Sequence, residues 1–214
     1  MKDWTTFLDA VQLGGWVIYP LSVLAILAIT IVVDRSYVFL RFAGTPDASA
    51  RPPAAAGISS GPLIERLDSL PERHVFRRLS APLADRPVAP IWYREAKTEA
   101  LAATIERDMS KGFWVLETIV TAAPLLGLLG TIVGMMHSFQ LFGGNGLVNP
   151  GGVTGGVAQS LVATAVGLVV ALFSLFAFNY FSRRLERLMD ELESFANERI
   201  SEIRLASEEQ GAAP

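Results

Sequence analysis

Between Thr118 and Ser182 the chain runs for 65 residues without an Asp, Glu, Lys or Arg, and His137 is the only imidazole in that run. A water-soluble domain does not leave so long a stretch uncharged, whereas a bilayer core about 30 Å thick asks for roughly 20 apolar residues per helical crossing. The run is long enough for two crossings, and the break between them is marked. Gly143-Gly144-Asn145-Gly146 and Asn149-Pro150-Gly151-Gly152 cluster the residues that end helices and admit turns. A second uncharged stretch, Ala10 to Val33, supplies another crossing. A cleaved signal peptide would have an apolar core of about 7–15 residues and a small-residue cleavage site. Here the apolar segment ends on Asp34-Arg35 instead. The expected fold is an all-α membrane protein with three transmembrane helices and long cytoplasmic helical extensions.

Composition agrees: 51% of residues are hydrophobic and the mean hydropathy is +0.38. A net charge of −3 leaves no basic footprint for nucleic acid. With no cysteine, and with His74 and His137 far apart, neither a metal site nor a cofactor is expected. No nucleophile, base or metal constellation suggests an enzyme.

Lys and Arg are unevenly placed: one before the first span, twelve from Arg35 to Lys111, none in the Gly-rich turn and five after Ser182. The positive-inside rule then predicts a periplasmic N-terminus and turn, and a cytoplasmic middle segment and tail, in a bacterial inner membrane. The expected boundaries are an outer N-terminus at 1–15, a first span at 16–40 and a cytoplasmic region at 41–115. A second span at 116–142, an outer turn at 143–154, a third span at 155–182 and a cytoplasmic amphipathic tail at 183–214 follow.

Within the cytoplasmic region, residues 45–62 are rich in Pro, Ala, Ser and Gly and read as a flexible linker. From Leu63 to Leu83 the apolar spacing, punctuated by Pro71 and Pro82, fits two short helices. Pro90 opens a longer run, with Trp92, Ala96, Ala100, Ala103 and Ile105 at helical spacing, which continues into the second span with only Gly112 as a breaker. In the tail, Leu185, Leu188, Leu192 and Phe195 make one apolar stripe.

The second and third spans each carry a small, hydroxyl-bearing face: Pro124, Gly127, Thr131, Gly134 and Ser138 on one, and Ser160, Thr164, Gly167, Ala171 and Ser174 on the other. Two readings stand at this point. Small residues let helices approach closely, so the faces fit a tight seam, and a threonine satisfies itself on the carbonyl one turn back. Alternatively the two faces line a narrow polar passage, with Pro124 freeing a backbone carbonyl. Neither face holds a charged group, so a proton relay would need its titrating residue from elsewhere. Gln159 offers hydrogen bonds only. Glu117, at the inner mouth of the second span, reads as solvated or paired with the tail rather than as a relay, and His137 as a hydrogen-bonding group near the outer interface rather than a pH switch.

The segment Ala123-Pro124-Leu125-Leu126-Gly127-Leu128-Leu129-Gly130-Thr131-Ile132-Val133-Gly134-Met135-Met136 resembles the second-helix signature of the MotA/TolQ/ExbB proton-channel family, in its ExbB and TolQ branch. Ala163-Thr164-Ala165-Val166-Gly167-Leu168, followed by Asn179, is similar to the third-helix signature. Gly14-Gly15 with Tyr19-Pro20-Leu21 resembles the start of the first helix. The middle segment matches poorly.

The resemblance implies a homo-oligomer, specifically a pentamer, around the membrane helices of an ExbD- or TolR-like single-span partner that carries an aspartate. It implies that Thr131 and Thr164 face the pore, and that a TonB- or TolA-like protein receives the work. Gln159 stands where many relatives carry glutamate and Phe173 where they carry proline, so that glutamate's role does not transfer. Asp34-Arg35 replaces a Glu-Arg pair. The expected function is a proton-channel subunit coupling proton motive force to work on periplasmic partners, with Gln159, Ser160, Thr131 and Thr164 along the route. An oligomeric scaffold without conduction is the alternative. A small-molecule transporter fits poorly, because three spans show no inverted repeat and no charged midplane site.

Overall fold

The computed structural model describes residues 16–43, 70–84, 90–140 and 150–211. Every regular element among them is a helix: α1 (Ile18–Phe42), α2 (Val75–Ala84), α3 (Ile91–Met109), α4 (Phe113–Gln140) and α5 (Pro150–Gly211). Three long helical stretches, containing α1, α4 and α5, are apolar and long enough to cross a membrane, as the uncharged runs require. The linker at 45–62 and most of the Gly-rich turn lie outside the described residues. The last residues of that turn, from Pro150, already belong to α5. Proline is well suited to a first helical position, where its missing N–H has no intrahelical partner. From Leu168 to Gln210 the sequence has neither Gly nor Pro, so nothing interrupts α5 between the third span and the tail.

The expected continuity of the middle helix into the second span is corrected. α3 ends at Met109, Ser110 donates its N–H to the Glu106 carbonyl at 2.9 Å, and α4 begins at Phe113. The residue between is Gly112 at φ +86°, a left-handed conformation that side chains with a Cβ resist. A Cβ there would also meet the Ile31 side chain at 3.1 Å.

The chain divides into two compact units. The apolar unit lies within Met1–Val33 and Gly112–Tyr180. Its core joins Val17, Leu21 and Ala28 with Leu116, Ile119 and Ala123 of α4 and with Val170 and Ala171 of α5. Phe113 and Phe178 meet edge-on at 6.3 Å near one end.

The polar unit lies within Asp34–Lys111 and Phe181–Pro214. The tail stripe is buried at Leu185, Leu188 and Leu192, and Phe195 meets Phe76 of α2 edge-on at 5.7 Å. Val75 and Leu79 of α2 are buried as well, and Phe39 stacks on Phe181 at 5.7 Å. On α3 the inward face is Arg94, Thr98, Ile105 and Met109; of the run read from the sequence Ile105 is buried, while Trp92, Ala96, Ala100 and Ala103 are exposed. Burying Ile105 and Met109 fixes the helical phase, which carries Thr98 and Arg94 inward and leaves Trp92 69% exposed.

The C-terminus of α3 is held by charge. Arg35 is buried and donates to the Asp108 and Met109 carbonyls at 3.0 and 3.3 Å, where the helix dipole favours a cation, while its other nitrogens donate to Asp34. Asp108 accepts from Lys111 at 2.9 Å and from Arg78 at 3.1 Å. The Lys111 hydrogen bond, helped by the Arg78 bond and the charges of both partners, holds the Asp108 carboxyl below its usual range against the opposing effect of burial. A carboxyl whose pKa is lowered by folding stabilises above its unfolded value and loses that contribution as pH falls through the folded one. In thermal unfolding, Asp108→Asn is therefore expected to lower the midpoint at pH 7, and the gap to wild type is expected to close well below pH ~3.9.

Candidate membrane-helix site

Within the apolar unit α4 and α5 run antiparallel at a separation set by glycine. A Cβ on Gly127 would lie 3.0 Å from the Thr164 Cα and 3.1 Å from the Ala163 carbonyl oxygen. One on Gly130 would lie 2.7 Å from the Ala163 Cβ, and one on Gly134 2.8 Å from the Ser160 Cβ. One on Gly167 would lie 2.6 Å from the Ala123 carbonyl oxygen and 3.2 Å from the Gly127 Cα. Gly156 leaves room for the Ser138 hydroxyl and nothing more. The two small faces thus meet each other across one seam, as packing-driven association in lipid favours.

The seam disposes of most of the hydroxyls. Ser138, 1% exposed, donates to the Gly134 carbonyl at 2.8 Å, and Ser160, 2% exposed, to the Val157 carbonyl at 2.7 Å. Each of these serines is satisfied within its own helix. Thr164 differs, because its Oγ1 donates across the seam to the Gly127 carbonyl at 2.9 Å. Ser174 is fully buried and its Oγ has no partner among the described residues. Thr131 donates to the Leu128 carbonyl at 2.6 Å and is only partly covered.

The ten residues expected along a pathway therefore separate by position. Gly127, Gly134, Ser138, Ser160 and Gly167 sit in the seam, and Ala171 belongs to the three-helix core. Thr164 is at the rim of the seam, and Thr131 lies one turn along α4 from Gly127 on the side left partly open. Pro124 is half-buried, and its missing N–H leaves the Val120 carbonyl without its usual helical partner. Gln159 is half-buried but lies about 140° round α5 from Thr164, so the two are not on a common face.

The sequence reading missed Gly130, Gly156 and Ala163, which complete the seam. The signal was present as Gly130 and Gly134, then Gly156 and Ser160, each a pair of small residues four apart. It also missed the polar residues on the open side of α4. Thr121 is exposed there and donates to the Thr118 carbonyl at 2.9 Å, whereas Thr118, exposed about 100° round the helix from Glu117, lies off that line and donates to the Trp114 carbonyl at 2.7 Å. Glu117 is exposed one turn beyond the start of the helix, and no group of three or more potential metal ligands occurs among the described residues.

Comparison with known proteins agrees with this architecture. The model of the MotA/TolQ/ExbB proton channel family matches residues 68–194, more than half of the chain. A putative biopolymer transport protein ExbB-like 1 of Synechocystis is 32% identical over 197 residues, covering 89% of this chain and 76% of that protein. A putative biopolymer transport protein ExbB-like 3 from the same organism is 34% identical over 172 residues, covering 78% and 81% respectively. The biopolymer transport protein ExbB of Aquifex aeolicus is 37% identical over 89 residues, which is 41% of this chain and 60% of that one. The region rich in small seam residues, from Ala123 to Ala171, lies wholly within the family match. This chain is a multi-pass membrane protein that belongs to the MotA/TolQ/ExbB proton channel family, in its ExbB/TolQ branch.

Proposed function

We propose that this protein is the channel-forming subunit of an inner-membrane motor, in which proton flow drives work on a periplasmic partner. The observation that carries the reading is how little of the apolar surface the chain covers for itself. Only 17%, 22% and 33% of the apolar windows of the three spanning helices are buried. Lipid covers part of the rest, but the open side of α4 carries Thr131, Thr121 and Glu117, which fit protein or water better than hydrocarbon. Several copies, five by analogy with the family, would turn those sides toward a common axis. That axis would hold the single-span helices of an ExbD- or TolR-like partner.

No described residue between Thr118 and Gln140, or between Pro150 and Tyr180, is charged, so the partner supplies the titrating aspartate. Thr131 would accept hydrogen bonds there through its oxygen, since its own hydrogen is already donated to Leu128. Thr164 fixes the Gly127 carbonyl beside it. Each proton crossing 100 mV releases about 2.3 kcal/mol, so several together suffice for conformational work. The lysine and arginine asymmetry supports a periplasmic N-terminus and a cytoplasmic polar unit. A TonB- or TolA-like protein would then receive the motion.

The test is proton flux into liposomes containing this protein and its candidate single-span partner. Flux is expected to vanish with the partner Asp→Asn and to fall several-fold in Thr131→Val and Thr164→Val, while the complex still assembles. Complexes that assemble fully and never conduct would favour a membrane scaffold whose small faces only seal helix contacts.

A further inference from the structure

The route on this chain extends past Thr131 to a group that the pathway above does not use. On α4, Glu117, Thr121, Pro124, Leu128, Thr131 and Met135 recur at intervals of three and four, within about 40° of one line along the helix. None of the six is buried, whereas Leu116, Ile119, Ala123, Gly127 and Gly130, centred about 120° away, are all buried. The seam and the open stripe are thus two separate faces of one helix.

Glu117 is the sole Asp, Glu, Lys or Arg among the described residues of the apolar unit. Its carboxylate has no hydrogen-bond or ion-pair partner there, in a helix that has no other Asp, Glu, Lys or Arg. Turned toward lipid such a charge is costly, whereas a water-filled or partner-lined space accommodates it. The carboxylate therefore selects which open side of α4 faces inward, and Thr131 lies on that same side. Thr121 stands one turn beyond Glu117, and its hydrogen is donated to the Thr118 carbonyl, so its oxygen lone pairs are free to accept.

We infer that Glu117 and Thr121 form the inner end of the proton route, with Glu117 as the carboxylate that passes protons between the stripe and solvent. A hydrated proton reaching this end transfers to the Glu117 carboxylate, leaving water and a neutral carboxylic acid. The acid then releases the proton to solvent, and the carboxylate is restored with nothing consumed. This rests on the channel reading, and it adds a protonatable group on this chain to the aspartate of the partner.

The experiment is the same reconstituted complex with four further variants. Glu117→Gln keeps shape and hydrogen bonding but cannot exchange a proton, and it is expected to cut partner-dependent flux about a hundredfold, the lower end of the range for removing an acid–base group. Glu117→Asp is expected to retain flux. Thr121→Val is expected to reduce it, whereas Thr118→Val, of equal chemistry but about 100° round the helix from Glu117 and about 60° from Thr121, is expected to leave it unchanged. Wild type that conducts and depends on the partner aspartate, with Glu117→Gln at the same rate, would overturn this inference and leave the channel reading intact. Wild type that never conducts would overturn both. If Glu117→Gln fails to assemble, the Thr121 and Thr118 variants decide, and equal flux in the two would refute the stripe.

Discussion

Gly167→Ala is expected to lower the thermal midpoint of the detergent-solubilised protein, while Gly155→Ala is expected to leave it unchanged or raise it. A methyl on Gly167 would lie 2.6 Å from the Ala123 carbonyl oxygen and 3.2 Å from the Gly127 Cα. Both are backbone atoms, so no rotamer change relieves the clash and α4 and α5 must separate. Overpacking of this kind costs about 1–3 kcal/mol, at roughly 2–4 °C per kcal/mol for a chain of this size. Separation also lengthens the Thr164 to Gly127 hydrogen bond, so the loss propagates to a neighbour of the open stripe. At Gly155 nothing stands within 4 Å of the added atom, and only the better helix propensity of alanine remains. Tryptophan fluorescence on heating separates the two variants. Equal midpoints would mean that the seam is not set by glycine.

The second large effect belongs to the polar unit. Leu192 is fully buried on α5, on the stripe with Leu188 and Ala196. Leu192→Ala removes three carbons from a site whose surroundings are other helices, and a cost of about 2–5 kcal/mol is expected. Leu205, 61% exposed on the same helix, is the matched control, and its replacement by alanine should stay within about 0.5 kcal/mol. Hydrogen exchange along residues 181–205 should rise sharply in the first variant and hardly at all in the second. The apolar unit should keep its protection in both.

These expectations show how far a linear reading reaches. The spans were legible because lipid imposes one crude demand, an uncharged run of fixed length, and the chain meets it three times. The tail stripe was legible because Leu185, Leu188 and Leu192 leave one solution for the buried face. Gly112 is legible as the one breaker between α3 and α4, but a lone glycine is tolerated inside a helix and only its left-handed φ shows that the helix stops there. Of the apolar run on α3, Ile105 is buried but Trp92 and the alanines are not. Ile105 and Met109 at the other end set the phase instead.

The candidate site was legible as two small faces, but spacing does not say what a small face meets. Glycine records close approach, and the structure assigns that approach to the α4 and α5 seam. Thr131 and Thr164 share a stripe pattern with Ser138 and Ser160 in sequence, yet only the first pair stands at or beyond the rim.

The grip of Arg35 on α3 also has a history in time. Its acceptors, the Asp108 and Met109 carbonyls, lie 73 and 74 residues further along the chain. At synthesis rates of about 5–20 residues per second, the first helix is complete for some seconds before those acceptors exist. Through that interval the neighbouring Asp34 is already at hand to neutralise the guanidinium. The nascent chain thus carries its own counter-ion, which stays in place when the hold on the third helix forms.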